Sequence, residues 1–189
     1  MEHFKLHTIE TAPEGSKKLL GEVKNQMEFI PNLYAVMAES PQVIKAYAEM
    51  GKIFGQTSFS QVEKNLIWLA VSHTNSCHYC TAIHSMVAKM YGVSENIIEA
   101  LRTNMPISDL KLQALREFTV NMVDKRGWAT EQEVNDFLSA GYTRAQILEL
   151  TVGIAQKTIS NYVNHVAGTP LDEAVKPFAW QIEKSDPVF

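Results

Sequence analysis

A chain of 189 residues makes one ordinary domain, and its 46% hydrophobic and 20% charged residues suit a packed core, which excludes disordered, collagen-like and coiled-coil architectures. Lys and Arg number 17 against 21 Asp and Glu, a net charge of −4, so there is no basic footprint for a nucleic acid or an anionic membrane. The first residues lack the charged-then-apolar layout of a secretory signal and the apolar run at 66–71 is far too short to span a bilayer, so the expected location is the cytoplasm.

Apolar residues recur at helical spacing almost throughout, and no alternating stretch is long enough for a strand, which predicts a single all-α domain over 1–189 with about seven or more helices. A first helix over 16–27 carries Leu19, Leu20, Val23 and Met27 and stops before Pro31. Ser40-Pro41 offers an N-cap and a first-turn proline to a helix reaching about residue 54. Ser60-Gln61-Val62-Glu63 has capping-box spacing and opens a helix with Val62, Leu66, Leu69 and Ala70. After a break at 74–76, a helix with Ile83, Val87, Met90 and Tyr91 ends at Gly92, a residue suited to a left-handed C-cap, and Ser94 caps a short successor. An amphipathic segment over 109–126 shows Leu115, Phe118, Met122 and Val123 before Gly127. Thr130-Glu131-Gln132-Glu133 repeats the capping-box pattern for a helix ending at Gly141. Thr143 begins the longest helix, to about residue 167, whose Ile147, Leu148, Ile154, Ile159, Val163 and Val166 predict a central position; Gly168 and Pro170 end it. The tail, 177–189, holds Trp180 and little periodicity, and no linker marks a domain boundary. Trp68, Phe118, Met86 and Met90 sit at helical spacing and are expected in the core.

The two cysteines of the chain fall together in Cys77-His78-Tyr79-Cys80, within a motif region at about 60–92. Two thiols separated by two residues at a helix start can close a small disulfide ring, so they read as a dithiol that cycles between reduced and oxidised states. Unactivated thiols are sluggish, with a pKa near 8.5, and a helix N-terminus or a neighbouring base lowers that value. His84 lies four residues after Cys80, one helical turn on and on the same face, where it can take the thiol proton. Cys77 has the exposed-nucleophile position of thioredoxin-like motifs, whereas His84 favours Cys80; a base acts on one sulfur while the helix field reaches both, so Cys80 is preferred. His78 reads as a solvated residue inside the ring that tunes reduction potential. A rival zinc set of Cys77, Cys80 and His84 with His73 or His78 is disfavoured because structural zinc sites draw their second pair from a distant segment.

The run Glu63-Lys64-Asn65-Leu66-Ile67-Trp68-Leu69-Ala70-Val71-Ser72, then Cys77-His78-Tyr79-Cys80 and His84-Ser85, resembles the alkylhydroperoxidase-D-like, carboxymuconolactone decarboxylase superfamily. The likeness extends upstream through Ile30-Pro31-Asn32-Leu33 and Glu39-Ser40-Pro41, and downstream through Asn161-Tyr162-Val163-Asn164-His165 and Gly168-Thr169-Pro170-Leu171. It implies an all-helical fold assembling as a trimer or hexamer and, in members with this dithiol, a thiol peroxidase with a Glu–His–Cys proton relay. One departure matters: the relay glutamate of those members stands twelve residues before the first cysteine, and here that position is Asn65. The nearest carboxylate, Glu63, is two residues away, a rotation of about 200° around the helix, and its role as the capping partner of Ser60 competes with any catalytic one. Asn65 can hydrogen-bond His84 but cannot accept a proton. Asn161, Asn164 and His165 share one helix face and read first as a satisfied helix interface, since buried polar groups are usually structural.

The expected function is therefore a dithiol peroxidase-like oxidoreductase acting on hydrogen or organic peroxides through Cys80, Cys77 and His84, with Glu63 a weak fourth candidate. It needs an external dithiol reductant and no metal or other cofactor, and self-associates. The alternatives are a carboxymuconolactone-type lactone decarboxylase, which has no evident use for a cycling dithiol, and a non-enzymatic, zinc-stabilised structural oligomer.

Overall fold

The computed structural model describes residues 4–181. Among them are nine α-helices and one 3-10 helix, with no strand. In chain order the helices are α1 (Glu14–Met27), α2 (Asn32–Met37), α3 (Pro41–Gly55), α4 (Gln61–Thr74), α5 (His78–Met90), α6 (Glu95–Arg102), α7 (Leu110–Asp124), α8 (Glu131–Ser139) and α9 (Arg144–Ala167), followed by the 3-10 helix Glu173–Phe178. The capping boxes of Ser60 with Glu63 and Thr130 with Glu133 form, and Thr143 with Gln146 makes a third. Each satisfies two backbone N–H groups that the first helical turn leaves without partners. Gly92 and Gly168 adopt the left-handed conformation expected after α5 and α9. The sequence pattern gives no sign of α2 or of the 3-10 helix, which ends just inside the tail read as lacking periodicity; the tail beyond residue 181 lies outside the described residues.

The central position belongs to α4 rather than to α9. Residues 63–67 and 69–72 of α4 are buried on every side, and the helix packs against α5, α6, α7 and α9. On α9 the expected polarity is inverted. Its inward stripe is Leu150, Gly153, Gln156, Lys157, Ser160, Asn161 and Asn164, while Leu148, Tyr162 and Val166 are 59–75% exposed. Small and polar side chains let α9 approach its neighbours closely: a Cβ at Gly153 would stand 2.7 Å from Phe54 Cε2. Apolar content alone therefore misreads this helix, because Leu148, Tyr162 and Val166 project outward and Ile147, Ile154, Ile159 and Val163 are only partly buried at its flanks. Met90 also departs from expectation, standing 76% exposed at the end of α5, whereas Phe118 is buried and Trp68 and Met86 pack against core residues.

Two apolar clusters result. One joins Phe54, Leu66, Leu69, Leu115, Phe118, Phe137 and Leu150. The other joins Leu20, Leu33, Ile44, Tyr47, Tyr79, Ile83 and Val175 and encloses both cysteines. No helix among the described residues is long and apolar enough to cross a membrane.

Candidate active site

The dithiol is placed by a sharp reversal between α4 and α5. Ser76 takes a left-handed φ of 54°, an uncommon conformation for a residue with a side chain. Ser76 N donates to His73 O at 2.8 Å and Cys77 N to Ser72 O at 2.9 Å, closing the end of α4. Cys77 then becomes the N-cap of α5, and its Sγ accepts the backbone N–H of Cys80 at 3.3 Å. A sulfur thus fills the role usually taken by a Ser or Asp oxygen. Both thiols are free, buried, and set in the first turn of a helix, where the dipole favours negative charge.

Helix α9 runs antiparallel to α5 and lays its polar stripe along it. Lys157 Nζ lies 2.7 Å from His84 Nε2, and Ser160 Oγ stands 3.8 Å from Cys80 Sγ. Asn164 Nδ2 donates to Cys80 Sγ at 3.1 Å and reaches Cys77 Sγ at 3.9 Å. The surroundings shift the two thiols in opposite directions. Burial opposes a Cys80 thiolate, but the Cys77 thiol hydrogen bond, the Lys157 charge and the polar side chains of Asn161 and Ser160 outweigh it and hold Cys80 below the ordinary thiol value. Cys77 moves the opposite way, raised first by giving its hydrogen bond to Cys80 and then by burial. The two thiols titrate as an interacting pair, with Cys80 the one favoured to ionise first.

The expected site residues are distributed as follows. Cys77 and Cys80 are together, and His84 is one turn on, but the group against His84 Nε2 is Lys157 and not a sulfur. Burial and the Lys157 charge push the His84 pKa well below its usual value, so the imidazole is neutral at physiological pH. Its Nδ1 is buried without a hydrogen-bond partner, and its ring lies 5.3 Å from that of Trp68. Glu63 is at the far end of α4, where Ser60 N donates to its carboxylate at 2.7 Å and Lys111 Nζ approaches at 3.7 Å. Asn65 turns to its own helix, Nδ2 donating to Gln61 O at 2.8 Å, and makes no hydrogen bond to His84. His78 is exposed, with Nδ1 3.1 Å from Trp180 O.

The asparagines of α9 do more than the interface reading expects. Asn164 binds the sulfurs, and Asn161 Oδ1 accepts from Asn75 Nδ2 at 2.8 Å, bracing the turn that precedes Cys77. Lys157, fully buried, was not singled out by the sequence pattern. A signal existed: read with a period of three to four, Lys157, Ser160, Asn161 and Asn164 form a polar stripe on one face of a long helix.

A cleft of about 1020 Å³ opens at Cys77, lined by His73, Asn75, His78, Tyr162, Asn164 and Trp180 among others. Cys80 lies behind it. Trp180 forms a wall, its ring 5.0 Å from that of His73 and 5.4 Å from that of His78. Among the described residues no group of three or more His, Cys, Asp or Glu is placed to hold a metal ion; of the candidate zinc set, His84 faces an ammonium group and His78 a carbonyl.

Residues 41–110, which include α4 and the whole dithiol motif, match the carboxymuconolactone decarboxylase family. No curated protein matches the sequence. In three dimensions the chain is similar to the alkylhydroperoxidase core of an uncharacterized peroxidase-related protein from Ralstonia eutropha, with a TM-score of 0.82 at 17% identity over 92% of this chain and 93% of that one. The fold is alkylhydroperoxidase-D-like. Two further structures share this alkylhydroperoxidase-D-like fold. A peroxidase-related protein from a Silicibacter species gives a TM-score of 0.77 at 16% identity, covering 92% of this chain and 95% of its own. A cysteine-to-alanine variant of the debrominase Bmp8, in complex with 2,3,4-tribromopyrrole, gives 0.78 at 16%, covering 94% and 96%.

Proposed function

We propose that this alkylhydroperoxidase-D-like chain is a dithiol oxidoreductase that reduces peroxides. The observation that carries the reading is the asymmetric dithiol at the start of α5, where Cys77 Sγ accepts the Cys80 N–H and Asn164 Nδ2 donates to Cys80 Sγ at 3.1 Å, surroundings that favour ionisation of Cys80 over Cys77. The Cys80 thiolate attacks the terminal peroxide oxygen, the O–O bond breaks, and a sulfenic acid forms as the leaving oxygen takes a proton. Cys77 condenses with the sulfenic acid, expelling water and leaving a disulfide. An external dithiol then supplies two electrons and two protons. It meets Cys77 first, because Cys77 lines the cleft and Cys80 does not, and the sulfur it expels is Cys80, the better leaving group by virtue of its lower pKa. Peroxide consumption by the purified protein should depend on a supplied dithiol, and mass spectrometry should show loss of two hydrogens after peroxide. Persistent free thiols in folded protein under excess peroxide would overturn the reading.

A second reading is reductive dehalogenation of an aromatic ring, for which the same two electrons serve. The supporting observation is the cleft, whose volume and ring-lined wall exceed what a peroxide requires, together with the tribromopyrrole held by a protein of this fold. Release of bromide from a bromopyrrole with no consumption of peroxide would favour it. Lactone decarboxylation leaves the dithiol without a task.

Self-association belongs to the same proposal. Leu148, Tyr162 and Val166 expose apolar surface along α9. Light scattering should report a homo-oligomer, with the trimer or hexamer coming from the family resemblance; a stable monomer at micromolar concentration would count against it.

A further inference from the structure

We infer that Lys157 is both the counter-ion of the Cys80 thiolate and the source of the proton that the leaving oxygen receives, a task that the resemblance assigns to a glutamate–histidine relay. The inference rests on the dithiol reading and deepens it. Lys157 is fully buried, and its Nζ bonds to His84 Nε2 at 2.7 Å with no carboxylate in ion-pair reach among the described residues. Where a relay carboxylate would be, Asn65 offers only a neutral amide, bonded to Gln61 O. The titratable groups that feel the ammonium are Cys77, the N-cap of α5, and Cys80 and His84 of α5, and Tyr47 of α3 faces the two cysteines from the side of Ser160. A buried cation needs an anion, and Cys80 is the group in this set that can be one at neutral pH: Tyr47 is held protonated by burial, and Cys77 by its bond to Cys80.

Histidine cannot take the cation instead. An imidazolium at His84 would lack the carboxylate that stabilises it, and Nδ1 has no acceptor nearby. His84 is then a positioning group, fixing Nζ by accepting its hydrogen bond.

The redox cycle balances on this basis. In the reduced state the site holds a Cys77 thiol, a Cys80 thiolate and a Lys157 ammonium. When Cys80 attacks hydrogen peroxide, its electron pair forms the S–O bond, the O–O bond breaks, and the departing hydroxide takes the Lys157 proton to become water. Condensation with Cys77 expels a second water. The oxidised site therefore carries a disulfide and a neutral lysine amine, so no unpaired charge is left in the interior. Reduction by two thiols restores the Cys77 proton and the Lys157 proton.

Two measurements test this, and the first needs no peroxide. Ultraviolet thiolate absorbance of the reduced protein, titrated with acid, should show a thiolate in the wild type well below pH 8.5. In Lys157→Met, checked for fold by circular dichroism, it should appear only above about pH 8.5, a loss of more than about tenfold in thiolate at pH 7. An unchanged titration in folded Lys157→Met, or its loss in His84→Gln alone, overturns the counter-ion. The second measurement is proton uptake in weakly buffered solution at neutral pH, on oxidation by hydrogen peroxide or, if peroxide is not consumed, by a small disulfide. No net uptake is expected, because Lys157 supplies the proton. Uptake of one proton per disulfide formed would show that the lysine stays charged and would overturn its role as donor. Failure of the peroxidase reading, by contrast, would appear as thiols that peroxide leaves reduced while the thiolate titration remains.

Discussion

Replacing Cys80 by serine is expected to reduce dithiol-dependent peroxide turnover to the uncatalysed background, and replacing Cys77 by serine to stop it after one peroxide per subunit. The two outcomes differ because the sulfurs have different states. The Cys77 thiol and the Lys157 charge favour the thiolate at Cys80, whereas burial and its hydrogen bond to Cys80 favour the protonated form of Cys77. A serine hydroxyl at 80 cannot ionise near neutral pH and is a poor nucleophile. With serine at 77 the thiolate still attacks, but no second sulfur condenses with the sulfenic acid, which then accumulates or is over-oxidised. In the wild type, activity should hold as pH falls below about 8.5 and decline only as pH falls through the lowered Cys80 value, where the thiolate takes up a proton. Stopped-flow peroxide consumption and intact-mass analysis distinguish the cases. Sustained turnover in Cys80→Ser, or a sulfenic acid trapped on Cys77, would exchange the roles.

Tyr79→Phe should cost about 3 kcal/mol of stability, since two buried groups lose a partner at once and each such loss costs about 1–3 kcal/mol. The Tyr79 hydroxyl, inside the dithiol motif, donates to Asp172 Oδ2 at 2.6 Å and accepts from Leu33 N at 3.2 Å. Asp172 Oδ1 accepts from Asn32 N at 2.9 Å. One phenol thus ties α5 to the first turn of α2 and to the segment after α9. For a chain of this size the melting midpoint should fall by roughly 6–12 °C. A fall under about 2 °C in a thermal scan would mean that water or a rearranged loop replaces the hydroxyl.

That knot also explains what was legible in the sequence. Helices with local start or stop signals are read well: Ser60 and Glu63 cap the start of α4, Thr130 and Glu133 the start of α8, and Gly168 ends α9, all through contacts within a few residues. Helix α2 is different. Its first N–H groups are satisfied by Asp172 and Tyr79, 140 and 46 residues away, so no local pattern announces it. The dithiol was legible because two cysteines at that spacing are conspicuous, and Glu63 resolves into a cap as its pairing with Ser60 suggests. Lys157 was hidden by its type. A lysine on a long helix is ordinarily a solvated side chain, and only the arrival of α9 against α5 turns it inward. The same arrival took Asn164 from a helix interface to a sulfur ligand.

The inverted polarity of α9 sets this domain's stability against its reactivity. Evolution normally improves a core by filling it with hydrocarbon, and here that route is closed along the stretch of α9 that carries Lys157, Ser160, Asn161 and Asn164. Replacing a buried ion pair as a whole by well-packed hydrocarbon is often neutral or stabilising by about 1–4 kcal/mol, yet here it would remove the thiol along with Lys157. Thermostable relatives that keep the dithiol should therefore gain their stability on other helices, in caps, loops and the cluster around Phe137 and Leu115, and leave this stripe polar. A homologue in which the stripe has turned apolar should have given up the chemistry as well.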